Sequence, residues 1–105
     1  MFLEPAGKDK LIFALDVDSI AKTTPYVEAL AHHVGFFKVG LELILAAGAP
    51  QIVQNIHRLG GQVFLDTKLN DIPNTVAGAA KAVAALGVKM FNVHASCGKE
   101  AIKAA

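Results

Sequence analysis

The sequence predicts an α/β fold built from parallel βα repeats. Four short apolar runs occur along the chain, and their starts lie about 25 to 27 residues apart, the length of a strand plus a crossover helix. The runs are apolar without regular alternation, as is typical of parallel strands covered by helices. Polar side chains follow each run, and the carboxyl ends of parallel strands form the active-site edge of such folds.

The first βα unit begins with the apolar run at residues 11–15, which predicts the first strand. Thr24 followed by Pro25 has the pattern of a helix cap and first turn, so we expect the first helix to begin there. Gly35 marks the end of this helix. The second strand is predicted at residues 36 and 37.

The second unit is delimited by proline and glycine. Pro50 begins a helix, and Gly60 and Gly61 follow its end. A short apolar stretch at residues 41–47 precedes this helix and predicts an extra helical turn. The apolar residues that share one face of the helix are Ile52, Val53, Ile56 and Leu59.

The third unit consists of a strand at residues 63–65 and a helix from Pro73 to Leu86, with Gly87 as its C-terminal cap. A fourth strand is predicted at residues 90–93. A fourth helix begins after Gly98 and has no terminator, so we expect the chain to stop within it.

Composition limits the classes of function. The 105 residues fit one domain, and the 53% apolar content is sufficient for a buried core. The formal net charge of +1 and the scattered lysines argue against a nucleic-acid partner. The single cysteine, Cys97, cannot form an internal disulfide, and no Cys/His spacing resembles a zinc site. We therefore expect a cytoplasmic protein without a metal site.

Neither the N-terminus nor the apolar runs predict membrane insertion. The N-terminus carries Glu4 and Pro5 and lacks a long apolar core, so we expect no signal peptide. The apolar run that begins at Leu11 is too short to span a bilayer, and the other runs are interrupted by charges or glycines. We expect no membrane partner.

The charges that follow the third strand carry the strongest functional signal. Because side chains alternate along a strand, Asp66 and Lys68 are predicted to share one face, while Thr67 points to the other. Asp66 follows three apolar residues directly, so its carboxylate needs a partner, and Lys68 is the obvious one. Such a pair is typical of a functional site, although a structural ion pair has the same pattern.

Further polar residues are predicted to converge on this pair. Asp71, shortly before Pro73, either caps the next helix or adds a carboxylate to the site. The polar residues at the strand ends are Asp16, Lys38, Asp66, Lys68 and His94. All of them lie at carboxyl ends, which meet at one edge of a parallel sheet and predict a binding or catalytic site there.

Residues 66–75, Asp-Thr-Lys-Leu-Asn-Asp-Ile-Pro-Asn-Thr, resemble the signature Asp-x-Lys-x-x-Asp-Ile-Pro-x-Thr of the orotidine 5′-phosphate decarboxylase family. Residues 14–16, 37–40 and 92–95 are similar to the segments that this family has at its other strand ends. The resemblance runs from Leu11 onward. It implies that residues 1–105 form a single domain that is the first half of a (β/α)8 TIM barrel, with strands 1 to 4 and a truncated helix 4.

The resemblance also implies a role for each charge at the strand ends. Lys68 would donate a proton to C6 of orotidine monophosphate as carbon dioxide leaves, and Asp66 would lie against the departing carboxylate. Lys38 and Asp16 would bind ribose hydroxyls, with Lys38 also neutralising Asp66. The reaction would yield uridine monophosphate in de novo pyrimidine biosynthesis.

In the family, the remaining signature residues belong to the substrate site, and the enzyme is a homodimer. By resemblance, Asp71 and Thr75 would reach the neighbouring subunit's site. The other positions that the resemblance adds to the substrate site are Thr67, Leu69, Asn70, Ile72, Pro73 and Asn74. For His94 we expect a buried histidine bonded to the backbone instead of a catalytic residue.

The implied chemistry needs no cofactor. Loss of carbon dioxide leaves a carbanion in the ring plane without an electron sink, so the protein must stabilise it electrostatically. An ammonium at C6 stabilises charge in the transition state, and a carboxylate beside the substrate carboxylate disfavours the ground state. Barrels of this kind commonly bind phosphate through the loops after strands seven and eight, so we expect the 105-residue chain alone to be inactive.

Two alternatives stay open at this point. The sister family of 3-keto-gulonate-phosphate decarboxylases and hexulose-phosphate synthases is similar in having Asp-x-Lys-x-x-Asp at the same strand end, and it uses magnesium. It lacks the Ile-Pro-x-Thr continuation that is present here at residues 72–75. The second alternative is a non-catalytic βα module that binds a phosphorylated metabolite.

Overall fold

The computed structural model describes residues 7–105, which contain one four-stranded parallel sheet. The strands are β1 (Ile12–Ala14), β2 (Phe36–Val39), β3 (Val63–Leu69) and β4 (Met90–Val93). They lie in the order β1-β2-β3-β4, and each pairs in parallel with the strand that precedes it in the chain. The predicted parallel βα repeat is thereby confirmed.

Helices connect the strands. They are α1 (Ile20–Leu30), α2 (Leu41–Ala47), α3 (Ala49–Arg58), α4 (Pro73–Ala85) and α5 (Lys99–Ala104), with 3-10 turns at Gly7–Lys10 and Ala95–Cys97. Within the described range no helix is long and apolar enough to cross a membrane. Residues 1–6, which include the acid and the proline used in the signal-peptide prediction, lie outside the described residues.

Helix α1 begins five residues earlier than predicted. Ser19 is its N-cap, and the Ser19 hydroxyl accepts a hydrogen bond from the Lys22 amide at 3.2 Å. The expected start at Thr24 was therefore wrong, and Pro25 lies inside the helix. Pro25 lacks the amide that would bond to the carbonyl of residue 21. The Thr23 hydroxyl donates to the Ile20 carbonyl at 2.6 Å in the same turn. A serine cap outweighed the threonine–proline pattern.

The remaining helices begin and end close to the predicted positions. Pro50 lies in the first turn of α3, and Pro73 is the first residue of α4, as expected for proline at a helix start. Gly87 follows α4 with φ +78°, a left-handed conformation that glycine adopts without steric cost. Gly61 after α3 is required for another reason: a Cβ there would lie 2.8 Å from Ile56 Cγ2.

The core lies between the sheet and the helices. Phe37, Val39, Val63 and Leu65 are fully buried, whereas Phe36, Lys38 and Phe64 between them are half-buried, so the helices cover one face of the sheet. The fully buried apolar residues of this layer include Leu15, Val27, Phe37, Val39, Leu43, Ile52, Ile56, Val63 and Leu65. Helices on one face are typical of a barrel wall and leave the other face for the interior. Lys38 and Asp66 belong to that interior side.

Candidate active site

A carboxylate between two ammonium groups forms the centre of the candidate site. Asp66 Oδ2 lies 2.7 Å from Lys68 Nζ and 3.6 Å from Lys38 Nζ. Lys38 Nζ also lies 3.7 Å from Asp16 Oδ1. Three neighbouring strands therefore bring four charges together at their carboxyl ends, in the alternating order Asp16, Lys38, Asp66, Lys68. We call these four side chains the charge array.

Asp66 is the buried member of the charge array. Only 6% of its surface is exposed, and this burial acts to raise the pKa of its carboxyl group. Hydrogen bonds from Lys68 and Asn92, together with the charges of Lys68 and Lys38, outweigh the burial and hold the pKa below the ordinary value of 3.8. The carboxylate is therefore ionised at neutral pH.

The backbone of β3 is irregular where it carries the array. Leu65 pairs with Phe91 and Leu69 pairs with Val93, so four steps along β3 match two steps along β4. Lys68 accommodates this bulge with φ +48°, in the left-handed region that side chains other than glycine rarely adopt. Asp66 and Lys68 do meet, but across a bulge instead of along the regular strand that the sequence prediction assumed.

Asn92 of β4 fills the gap that the bulge creates, and the sequence analysis missed it as a site residue. Its Nδ2 donates to Asp66 Oδ1 at 2.7 Å, and its Oδ1 accepts from the Lys68 amide at 2.7 Å. The Thr67 hydroxyl donates to the Asn92 carbonyl at 2.9 Å. The sequence signals were a polar residue within the apolar run of β4 and its place in the family-like segment 92–95, neither of which assigned Asn92 a role.

The rest of the signature lies at the surface. Asp71 Oδ1 accepts a hydrogen bond from the Ile72 amide at 2.7 Å, but Ile72 is the N-cap of α4, so the capping alternative for Asp71 was wrong. Within the described residues no ion pair joins Asp71 to the charge array. The signature positions that are exposed in the structure are Asn70, Asp71, Ile72, Pro73, Asn74 and Thr75. Leu69 is half-buried and ends β3.

His94 differs from its prediction in one respect. It does bond to the backbone, since its Nδ1 accepts from the Ser96 amide at 3.4 Å and lies 2.6 Å from Ser96 Oγ. The predicted burial was wrong, because His94 follows the end of β4 and caps an exposed 3-10 turn. Its side chain therefore serves the local turn.

The fold and the site together define an α/β protein of the TIM-barrel type with a lysine–aspartate array at the carboxyl edge of its strands. The family model of the orotidine 5′-phosphate decarboxylase / HUMPS family matches residues 9–105. The chain belongs to this family, and the predicted family and the partial barrel fold are thereby confirmed.

Individual relatives agree with this assignment. The orotidine 5′-phosphate decarboxylase of Moorella thermoacetica is 53% identical over 99 residues, which cover 94% of this chain and 39% of that protein. The crystal structure of the enzyme from Lactobacillus acidophilus matches with a TM-score of 0.80 and 40% identity, over 90% of this chain and 42% of that one.

A third comparison includes a bound inhibitor. The orotidine 5′-monophosphate decarboxylase of Methanocaldococcus jannaschii, complexed with inhibitor BMP, matches with a TM-score of 0.81 and 33% identity, over 90% of this chain and 44% of that chain. The present chain spans about 40% of the length of the curated relatives it matches.

Proposed function

We propose that the protein carrying this chain decarboxylates orotidine monophosphate to uridine monophosphate and carbon dioxide, without a cofactor. The observation that carries the proposal is the position of Asp66, which lies between the ammonium groups of Lys68 and Lys38 at 2.7 Å and 3.6 Å. Family membership supports the same reaction, since the matched relatives bear that name. The product would enter pyrimidine nucleotide synthesis.

Lys68 is the proposed proton donor. As the bond between C6 and the carboxylate breaks, carbon dioxide leaves and its electron pair stays on C6. The Lys68 ammonium transfers a proton to C6 and becomes an amine, which regains a proton from solvent. With half of its side-chain surface exposed, Lys68 can reach a ligand above the strand ends. Its charge stabilises the carbanion as it forms.

Asp66 is proposed to act on the substrate carboxylate. A second carboxylate placed beside it repels the ground state, and the repulsion is relieved when neutral carbon dioxide leaves. Such repulsion requires the Asp66 carboxylate to stay ionised although it is buried. The surrounding hydrogen-bond donors and ammonium groups keep it ionised because they lower its pKa. Lys38 of β2 and Asp16, which follows the end of β1, are proposed to bind the ribose hydroxyls.

The start of α4 is proposed to serve a neighbouring subunit. Asp71 and Thr75 are exposed and stand apart from the charge array of their own chain, which is what a contribution in trans requires. The proposed assembly is a homodimer in which these two residues complete the partner's substrate site. The other signature residues between Asp66 and Thr75 are proposed to line the substrate site.

The magnesium-dependent alternative fits the array poorly. A divalent cation would need carboxylate oxygens free of other cations. Asp66 Oδ2 already has two ammonium groups within 4 Å, and Asp66 Oδ1 accepts from Asn92 at 2.7 Å. An ammonium from Lys38 beside both Asp16 and Asp66 would repel the metal from either carboxylate.

A decarboxylation assay with a chelator tests the proposal. The full-length natural protein that carries these residues is incubated with orotidine monophosphate, with and without EDTA, and loss of substrate and release of carbon dioxide are measured together. We expect substrate loss and carbon dioxide release in equal amounts, and no effect of the chelator on either. Activity that EDTA abolishes and magnesium restores would favour the alternative family, and no turnover of orotidine monophosphate would reject the proposed reaction.

A further inference from the structure

Asn92 holds three successive residues of the neighbouring strand. Its amide nitrogen donates to Asp66, its backbone carbonyl accepts from the Thr67 hydroxyl, and its amide oxygen accepts from the Lys68 backbone. These bonds occupy the interval in which β3 and β4 lose their regular pairing, between Leu65 and Leu69. One residue of β4 therefore bonds to three successive residues of β3 where the regular ladder is interrupted.

The conformation of Lys68 depends on these bonds. Its φ of +48° is one that residues other than glycine keep only when surrounding contacts hold it. The Lys68 amide donates to the Asn92 side chain at 2.7 Å instead of to a backbone carbonyl of β4. Without Asn92, this amide would lose its protein acceptor and the left-handed turn would lose its support.

We propose that Asn92 is a positioning residue that fixes the Asp66 carboxylate and the Lys68 backbone in the relative geometry that the charge array requires. This inference rests on the proposed function of the array. Each polar atom of the Asn92 side chain bonds to one member of the array, Nδ2 to Asp66 and Oδ1 to the Lys68 backbone, so Asn92 acts through these two residues. The side chain at this position must accept a hydrogen bond from the Lys68 amide and donate one to the Asp66 carboxylate, and the asparagine amide does both.

Two substitutions separate the contacts. Asn92→Ala removes both side-chain bonds, whereas Asn92→Asp keeps an acceptor for the Lys68 amide and places a like charge beside Asp66. Asn55→Ala is the matched control, because Asn55 also bridges two elements through its side chain, from α3 to Thr23 and Thr24 of α1, far from the array.

Steady-state kinetics in the full-length natural protein give the first measurement. We expect Asn92→Ala to lower kcat by about 10- to 100-fold, the effect expected when catalytic groups shift by about 1 Å. KM should change by less than about threefold, since the proposed role of Asn92 is to position Asp66 and Lys68 for the transition state. Asn55→Ala should lose stability and keep its kcat. Wild-type kcat in Asn92→Ala would overturn the inference.

A second measurement does not depend on activity. Carbon-13 NMR of labelled aspartate follows the titration of Asp66, which faces Lys68 on its own strand, Lys38 on β2 and Asn92 on β4. We expect the titration to move to higher pH in Asn92→Ala, further in Asn92→Asp, and not at all in Asn55→Ala. An unchanged Asp66 titration in Asn92→Ala would overturn the inference.

The two measurements distinguish failure of the inference from failure of the proposed function. If the wild-type protein does not turn over orotidine monophosphate, the proposed reaction fails, and the Asp66 titration still decides whether Asn92 positions the array. Asn92→Asp nearly keeps the volume of asparagine, so it provides the same titration test if Asn92→Ala does not fold.

Discussion

At the residue scale, Lys68 combines a fixed backbone with an accessible ammonium. Its amide is bound by Asn92 and its Nζ lies 2.7 Å from Asp66, yet half of the side-chain surface is exposed. We expect Lys68→Ala to lower kcat for orotidine monophosphate at least about 100-fold in the full-length natural protein, because a proton donor and its charge are lost together.

A lysine outside the array provides the control for this substitution. Lys22→Ala removes a surface ion pair with Asp18 at 2.7 Å, and we expect its kcat to equal that of the wild-type protein. Calorimetry with uridine monophosphate should still detect product binding to Lys68→Ala. A Lys68→Ala protein that retains more than a tenth of the wild-type kcat would contradict the proposed mechanism.

The Asp66 carboxylate also makes stability depend on pH. Its pKa is lower in the folded state than the ordinary 3.8, so its contribution to stability is present above that value and is lost as pH falls through the folded pKa. We expect the stability advantage of wild type over Asp66→Asn to shrink between pH 5 and pH 3. Urea unfolding at both pH values measures it, and a constant difference would contradict the lowered pKa.

The sequence predicted the members of the charge array because each one ends a recognisable apolar run. It could not predict Asn92, whose role exists only through the pairing of β3 with β4, 24 residues apart for the Lys68 contact. The positive φ of Lys68 was hidden for the same reason, since nothing local favours a left-handed lysine. The contacts between β3 and β4 determine the role of Asn92 and the conformation of Lys68, and the local sequence pattern does not contain them.

At the element scale, the start of α1 shows how a cap competes with a proline. The Ser19 hydroxyl accepts from the Lys22 amide at 3.2 Å, which satisfies one free amide of the first turn. We expect Ser19→Ala to lower the free energy of unfolding by about 1 kcal/mol, while Ser19→Asp keeps a capping acceptor and most of the stability. Urea unfolding of the three proteins measures this, and equal midpoints would contradict the capping role.

Helix α4 leads to a prediction about the assembly. If Asp71 at its start acts on the partner's site, heterodimers of Asp71→Ala and Lys68→Ala subunits contain one site with both wild-type groups. Mixing the two inactive full-length proteins should restore up to about a quarter of the wild-type activity, because half of the dimers are mixed and each has one intact site. Mass spectrometry checks subunit exchange, and exchange without activity would assign Asp71 to its own chain.

Most helix boundaries could be predicted because proline and glycine mark them with a local physical cause. Pro50, Pro73 and Gly87 each lie where their fixed or unusual φ requires. The start of α1 could not be predicted from the same signals, since a serine five residues before Thr24 competed for the cap. The sequence pattern alone does not show whether Ser19 or Thr24 caps the helix.

At the scale of the whole molecule, the helices within residues 7–105 cover one side of the sheet. The protein measures 41 × 39 × 21 Å, and its radius of gyration of 14.7 Å exceeds the roughly 13 Å of a compact domain of about 100 residues. The outer strands β1 and β4 each have one edge without a strand partner within residues 7–105. Leu11 and Ile12 at the β1 edge are about half exposed, at 55% and 45%.

We therefore expect the 105-residue chain, expressed alone, to self-associate and to show no useful decarboxylase activity. Open strand edges and an uncovered apolar face promote association. Phosphate contacts, proposed to come from barrel loops beyond these residues, would supply binding energy that lowers the barrier. Light scattering and an assay with orotidine monophosphate measure both properties. A stable monomer with normal turnover would contradict the half-barrel interpretation.

The sequential strand order also affects how the protein is made. From β2 to β4, each strand pairs with the one synthesised just before it, so these four strands can assemble in the direction of translation. At about 5–20 residues per second, Asn92 leaves the ribosome on the order of 1–5 s after Lys68. During that interval the Lys68 amide has no acceptor on β4. The ion pairs of the first three strands can thus form early, and the emergence of β4 adds the hydrogen bonds from Asn92 that hold Asp66 and the Lys68 backbone.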